Sequence, residues 1–407
     1  MTTLEGAGGA HIWPQFLPDG DHFLFLENAT SSIRIGSLEE ATVSSAVLQT
    51  RFAARYAWPG YLVFDQDGAL VAQRFDPERQ ALTGDPVRVV DGEVLRDEAD
   101  GTLAFSTSDQ GGLAFVAGDT QTQVRRLDRT GVELDAVTPA GDFRNPVLAP
   151  AGEDRVAVER DGDIWVFNLE RGTNDKFTFA PRADIFPIWS PGADRIVFSS
   201  NRGGTADLWV KGTAGAEEPA LLLHTDAAKF ATAWSADGAF LSFTSAGQGY
   251  DLWLLPMSGN RPTSFLVTPF SEGGGVISPD GRWMAYYSNE SGERRIYLQT
   301  VPPSSGKWPI STAGGSMPRW SADGRELYWV TLDHQQLIAV DMDTSGDAPV
   351  VGTPQLLFRA PFRRTTFGRN VFDVSKDGWF LVNTYIEGAP SAPITWVLDW
   401  AADLEPD

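Results

Sequence analysis

Residues Phe186 to Asn201 read FPIWSPGADRIVFSSN, and the same grammar returns four times between Asn145 and Leu332. The other copies are NPVLAPAGEDRVAVER from Asn145, ATAWSADGAFLSFTSA from Ala231, GGVISPDGRWMAYYSN from Gly274 and MPRWSADGRELYWVTL from Met317. Each frame reads as strand, tight turn and returning strand. The glycine of the Pro-Gly, Ala-Asp-Gly or Pro-Asp-Gly group accepts the positive φ that such a turn demands. Beyond the turn, Arg195-Ile196-Val197-Phe198 alternates with period two, which suits a strand with two unlike faces. A third strand follows, marked by Asp163-Ile164-Trp165, Asp207-Leu208-Trp209 and Asp251-Leu252-Trp253. Trp189, Trp234 and Trp320 share the fourth place of their frames, where a large ring on a short strand fills the space between neighbouring sheets.

Outside this stretch the frame persists in eroded form. Copies start at Trp13 (WPQFLPDGDHFLFLEN), near Ala54, near Leu103, and at Val371 (VFDVSKDGWFLVNTYI). Recurrence at about 41 to 54 residues is the signature of radially arranged four-stranded sheets. The expected fold is therefore all-β: a single β-propeller over residues 1–407, built of four-stranded antiparallel blades, nine preferred and eight as the alternative. The longer intervals coincide with inserts at Asp85 to Gly92 and Ser345 to Pro354, read as loops between blades. The last unit supplies three strands that end in Ile394 to Trp400, and the N-terminal Thr2-Thr3-Leu4 is expected to pair as its outer strand. Such a closure would remove the exposed edges that invite aggregation. No segment sustains the spacing of a long helix.

The chain has 407 residues, with 32 basic against 54 acidic side chains and a net charge of -22. A surface this negative repels phosphate backbones and anionic lipid, so no nucleic-acid partner and no membrane contact by this chain are expected. There is no cysteine, which excludes disulfides, thiolate nucleophiles and cysteine metal sites. No apolar run reaches bilayer length, and Met1 to Ala10 lack the features of a secretion signal. A monomer is expected.

The search for chemistry returns little. The four histidines, His11, His22, His224 and His334, occupy unrelated frame positions without metal-ligand spacing. No Gly-x-Ser-x-Gly elbow is present. Serines before Pro-Asp-Gly, and the repeated Asp237, Asp280, Asp323 and Asp377, read as residues satisfying their own turns, because acid–base pairs need unlike environments. Gly6 to Gly9 and Gly273 to Gly275 lack the lysine and helix of a phosphate loop. No catalytic residue, metal or cofactor is expected.

Several stretches carry a family resemblance. The Ser-Pro-Asp-Gly turn, Ser199 to Gly204 and the Asp-Leu-Trp strands resemble TolB-like (WD40-like, PD40) propeller repeats. Gly60 to Val89, Gly306-Lys307-Trp308 with Pro318-Arg319-Trp320, and Ala392 to Trp396 are more narrowly similar to the propeller that follows the kinase domain in bacterial, especially acidobacterial, serine/threonine kinases. The chain departs from those proteins in having no kinase motif; Gly141-Asp142-Phe143 is only a look-alike. The resemblance implies a ligand- or protein-binding propeller, a sensory module where it is kinase-associated, and then a place on the extracytoplasmic side of a bacterial membrane. The resemblance names no ligand or partner.

In a propeller the residues entering each first strand sit at the channel mouth. By frame these are Arg144, Asp184, Lys229, Gly273 and Ser316, and the loops with Asn201 and Arg202, Gln248, Asn289 and Glu290, and His334 should crowd the same face. Arg144, Asp184, Lys229, Asn201, Arg202 and Ser316 are the candidate ligand-binding residues. A lactonase- or phytase-like hydrolase with a cation in its channel is the alternative; it needs Asp, Glu, Asn or His converging from several first strands, where Trp, Ser, Val, Leu and Ile dominate. The gate of a prolyl-oligopeptidase-like enzyme would need a hydrolase domain on another chain.

Overall fold

A computed structural model describes residues 11–404, apart from 28–30, 41, 51, 67–68, 91–93, 98–101, 117–120, 151–153, 181, 216, 248, 260, 305, 366–368 and 387–393. The described residues are almost entirely β-strand and turn, with one short 3-10 turn at Ala402–Leu404. By compactness the chain divides into Gln121–Ile386 and a unit made of Met1–Thr120 with Glu387–Asp407.

Gln121–Ile386 carries six antiparallel sheets among the described residues. The first blade is Arg144–Leu148, Arg155–Arg160, Asp163–Asn168 and Thr173–Lys176; the second is Asp184–Trp189, Arg195–Ser200, Asp207–Gly212 and Ala220–Leu223. The third is Lys229–Trp234, Phe240–Ala246, Tyr250–Pro256 and Thr263–Leu266, and the fourth is Glu272–Ile277, Trp283–Ser288, Arg295–Thr300 and Lys307–Pro309. The fifth, led by Ser316–Trp320, Glu326–Val330 and Gln336–Asp343, adds Gln355–Arg359 and a short Val350–Val351. A closing blade joins the two ends of the unit: Phe372–Val374 and Phe380–Tyr385 form its inner half, Thr122–Leu127 and Glu133–Ala136 its outer half.

Six sheets share six apolar cores, one at each interface, and that equality makes the unit a closed ring. Val147 and Ile164 of the first blade pack with Trp189 and Phe198 of the second. Comparable clusters join second to third, third to fourth, fourth to fifth, fifth to closing, and closing to first blade. First strands touch in order around the ring and return from Phe372–Val374 to Arg144–Leu148.

The other unit has His11–Phe16, His22–Glu27, Ser32–Ser37 and Leu48–Gln49 in one sheet and Arg55–Ala57, Tyr61–Gln66, Ala69–Asp76 and Ala81–Arg88 in a second. A third sheet pairs Phe105–Thr107, Leu113–Val116 and Ile394–Val397. Its three main sheets share two large cores, one around Leu24, Leu62 and Phe64 and one around Tyr61, Phe115 and Trp400.

The all-β expectation of antiparallel blades holds, but one ring of nine or eight blades does not describe this pairing. The unit expected to start near Leu103 is divided: Phe105–Thr107 and Leu113–Val116 pair with Ile394–Val397, whereas Thr122–Leu127 pairs with Phe380–Tyr385. Ile394–Val397 is thus not the third strand of the blade that holds Phe380–Tyr385. The expected closing segment Thr2-Thr3-Leu4 lies outside the described residues. Frame spacing reports hairpins, which are local; it carries no record of which distant strand completes a sheet.

Within a frame the structure shows why the turn residues recur. The hydroxyls of Ser235, Ser278 and Ser321 donate to Asp237, Asp280 and Asp323 at 2.6, 2.5 and 2.7 Å, and accept the N–H five residues on. Asn145, Phe186 and Met317, each followed by proline, have φ of 48, 56 and 59°, and Gly274 has 62°. The ladder to the second strand slips at each of these places. This is a bulge with a left-handed residue, and proline is tolerated there because the ladder is already broken.

Gly273 is required for packing. A Cβ there would sit 2.3 Å from the Tyr287 hydroxyl, whose ring belongs to the fourth–fifth core. Gly273→Ala is expected to destabilise the unit by about 1–3 kcal/mol through overpacking, read as a lower calorimetric Tm; an unchanged Tm would show that Tyr287 has room to move.

Candidate functional site

The rim at which the first strands begin, the leading rim, gathers several buried charged side chains. Lys229 and Asp184 are fully buried, Arg144 and Ser316 nearly so. Arg144 Nη2 donates to Asp142 Oδ2 at 2.8 Å, and Arg363 pairs with the same carboxylate. Arg369 Nε donates to Glu159 Oε2 at 2.9 Å, and the other Glu159 oxygen accepts the Phe186 N–H at 2.7 Å. Arg202 Nη2 lies 2.8 Å from both oxygens of Asp184. Arg202 is half-buried with its guanidinium over Trp209, and the neighbouring Asn201 Oδ1 is buried without a partner among the described residues.

Of the Asp-x-Trp aspartates, Asp207 crosses a blade interface. Asp207 of the second blade meets Lys229 of the third at 2.7 Å and His224 Nδ1 at 2.8 Å. The Lys229 ammonium also donates to Thr225 Oγ1 at 2.9 Å, Thr225 O at 3.1 Å and Ala227 O at 2.5 Å. Asp163 is held by Lys176 Nζ at 2.7 Å, and burial pushes its pKa up. Asp251 accepts the Thr268 N–H, and burial raises its pKa too. Glu272, fully buried, accepts from Thr268 Oγ1 at 2.7 Å and Ser288 Oγ at 3.1 Å; burial raises its pKa, and Asp251 raises it further.

Aromatic rings line the same rim. Phe186 and Phe230 have centroids 5.1 Å apart and Phe230 and Tyr250 6.4 Å, with Arg369 over Phe186 at one end. Arg294 covers Tyr287 at 5.2 Å, and it is exposed, as is Arg364. Both arginines, with burial as the larger cause, depress the pKa of His334, whose Nδ1–H donates to the Arg363 carbonyl at 2.8 Å.

The structure therefore brings Arg144, Asp184, Lys229 and Ser316 to the starts of their first strands and Arg202 beside them, but mostly as partners of other protein groups. Glu272, not Gly273, occupies the place matching Asp184 and Lys229, because Glu272 pairs with Ser288 as those pair with Ser200 and Ser245. Gln248 lies outside the described residues. Sequence reasoning passed over Asp142, Glu159, Glu272 and Arg369; for Glu272 the signal was the shared spacing of Thr225 to Lys229 and Thr268 to Glu272. Among the described residues no three His, Cys, Asp or Glu side chains gather as a metal cluster.

The structure of the putative TolB from Agrobacterium tumefaciens superimposes with a TM-score of 0.54 at 20% identity, covering 66% of this chain and 99% of that one. The fold is a TolB-like propeller. TolB from Acinetobacter baumannii superimposes at TM-score 0.46 and 14% identity over 73% of this chain and 81% of that one. Oligogalacturonate lyase in complex with manganese superimposes over 96% of this chain and 97% of that one, at TM-score 0.45 and 12% identity. No protein-family model and no curated protein sequence matches the chain.

Proposed function

We propose that the six-bladed unit is a non-catalytic binding module, taking a small ligand or protein segment at the leading rim. The observation that carries this reading is that Arg294 and Arg364, both exposed and without a carboxylate partner among the described residues, lie near His334, with Arg294 also beside the Tyr250 and Tyr287 rings, on a chain of net charge -22. Two uncompensated guanidiniums on an acidic protein attract a carboxylate, and adjacent rings accept an apolar body. Association with a serine/threonine kinase as a sensory part belongs to this proposal and rests on the stretches Gly60 to Val89 and Ala392 to Trp396.

The test is a binding screen of carboxylate-bearing compounds and peptides against the full chain, repeated with Arg294→Ala/Arg364→Ala. Both residues are exposed, so folding should persist. A drop in affinity of about tenfold or more, close to 1.4 kcal/mol, is expected for a hit. Catalytic turnover without a stable complex, or hits that bind both proteins equally, would overturn the reading.

A further inference from the structure

The ring contains an internal control at successive blade interfaces. Between second and third blades, Asp207 of the Asp-Leu-Trp strand faces Lys229, the first residue of the next first strand, and the ammonium is caged by Asp207, Thr225 and Ala227 oxygens. One interface further on, Asp251 takes the place of Asp207, Thr268 that of Thr225 and Phe270 that of Ala227. The residue in the place of Lys229 is Glu272. An oxygen cage that encloses a cation in one interface has thus exchanged that cation for a second carboxylate in the next.

The geometry holds the two acids together. Thr268 gives its backbone N–H to Asp251 and its hydroxyl to Glu272 Oε1, at 2.7 Å in the latter case. Glu272 Oε2 is buried and has no partner among the described residues. Among the described residues neither acid has a cationic partner: the nearby Lys307 ammonium is committed to Glu290, and Arg294 lies over Tyr287. A fully buried carboxylate with an orphaned oxygen, beside a second that is half-buried, is an expensive arrangement unless charge is supplied.

We propose that this interface binds a divalent cation, Ca2+ fitting best, with Asp251 and Glu272 as its carboxylate ligands. Ca2+ takes six to eight oxygen donors of mixed type and tolerates irregular geometry. Its two positive charges balance the two negative charges of the pair. The Thr268 and Ser288 hydroxyls, both bonded to Glu272, offer neutral oxygens, and Phe270, which matches Ala227 in sequence, would add its carbonyl as Ala227 does for the Lys229 ammonium. The bound ion does for the third–fourth interface what Lys229 does for the second–third.

The experiment is a Ca2+ titration of the metal-stripped full chain by calorimetry, with Tm measured in chelator and in Ca2+. One saturable site and a raised Tm are expected. Glu272→Lys, which rebuilds the neighbouring cage with its own ammonium, should abolish the Ca2+ response and raise the Tm in chelator towards that of the loaded wild type. Asp251→Asn keeps the shape and should lower Ca2+ affinity about tenfold or more; it carries the test if Glu272→Lys does not fold. Absence of saturable Ca2+ binding by the wild type, or binding unchanged in a folded variant, overturns the proposal.

Discussion

Trp189→Ala lowers the unfolding free energy of the six-bladed unit by about 3–5 kcal/mol, the range for truncating a buried large aromatic. The ring is 2% exposed, packs between first and second blades, and carries Arg155 on its face at 4.9 Å. Its indole N–H donates to Val147 O in the preceding blade at 3.1 Å, so truncation also strands a carbonyl inside the interface. Trp320 repeats the device, donating to Val276 O at 3.3 Å. Trp234 does not: it is half-buried and its N–H turns back to Gly238 O within its own frame. Trp234→Ala should therefore lose clearly less than Trp189→Ala. Scanning calorimetry of the two variants, following the transition of Gln121–Ile386, checks the order; equal losses would mean that the bond to the preceding blade contributes nothing.

Lys229→Met is expected to cost about 3–5 kcal/mol, because breaking a buried pair leaves its partner charge uncompensated. Removing the ammonium leaves Asp207, which is 3% exposed, with only the His224 ring beside it, and strands the oxygens of Thr225 and Ala227. Lys229→Arg should not rescue, since a planar guanidinium does not fit a cage shaped for a compact ammonium. Lys229→Met/Asp207→Asn should lose less than the sum of the single changes, which a double-mutant cycle in denaturant measures. Strict additivity would show that the two side chains act independently despite their 2.7 Å separation.

Both predictions depend on residues whose roles were unequally legible. Trp189, Trp234 and Trp320 stand out in the sequence as one repeated wedge, yet only two of them bridge to the preceding blade. The strand of Trp234 slips between Ala231 and Ala233 without the left-handed residue found at Phe186 and Met317, a difference that position in a frame does not encode. Lys229 was legible as a residue at a strand start, but its commitment to Asp207 was not, because Asp207 lies in the preceding repeat at a different frame position. Arg369 with Glu159 is further removed, joining residues 210 apart in sequence.

By itself the sequence determined what neighbours within a few residues can settle. Turn serines and aspartates bond groups two to five positions away and alternation sets the two faces of each strand, so the hairpins and their turn chemistry were readable from spacing alone. Tertiary structure alone decided that the ring closes at six blades through Thr122–Leu127 and Phe380–Tyr385, that Ile394–Val397 pairs elsewhere, and which charge meets which across an interface. An edge strand accepts any partner with matching backbone groups, and a buried charge any neighbour of opposite sign. The choice among them is made by which surfaces the packed sheets bring into contact, a property of the assembled ring that no local stretch contains.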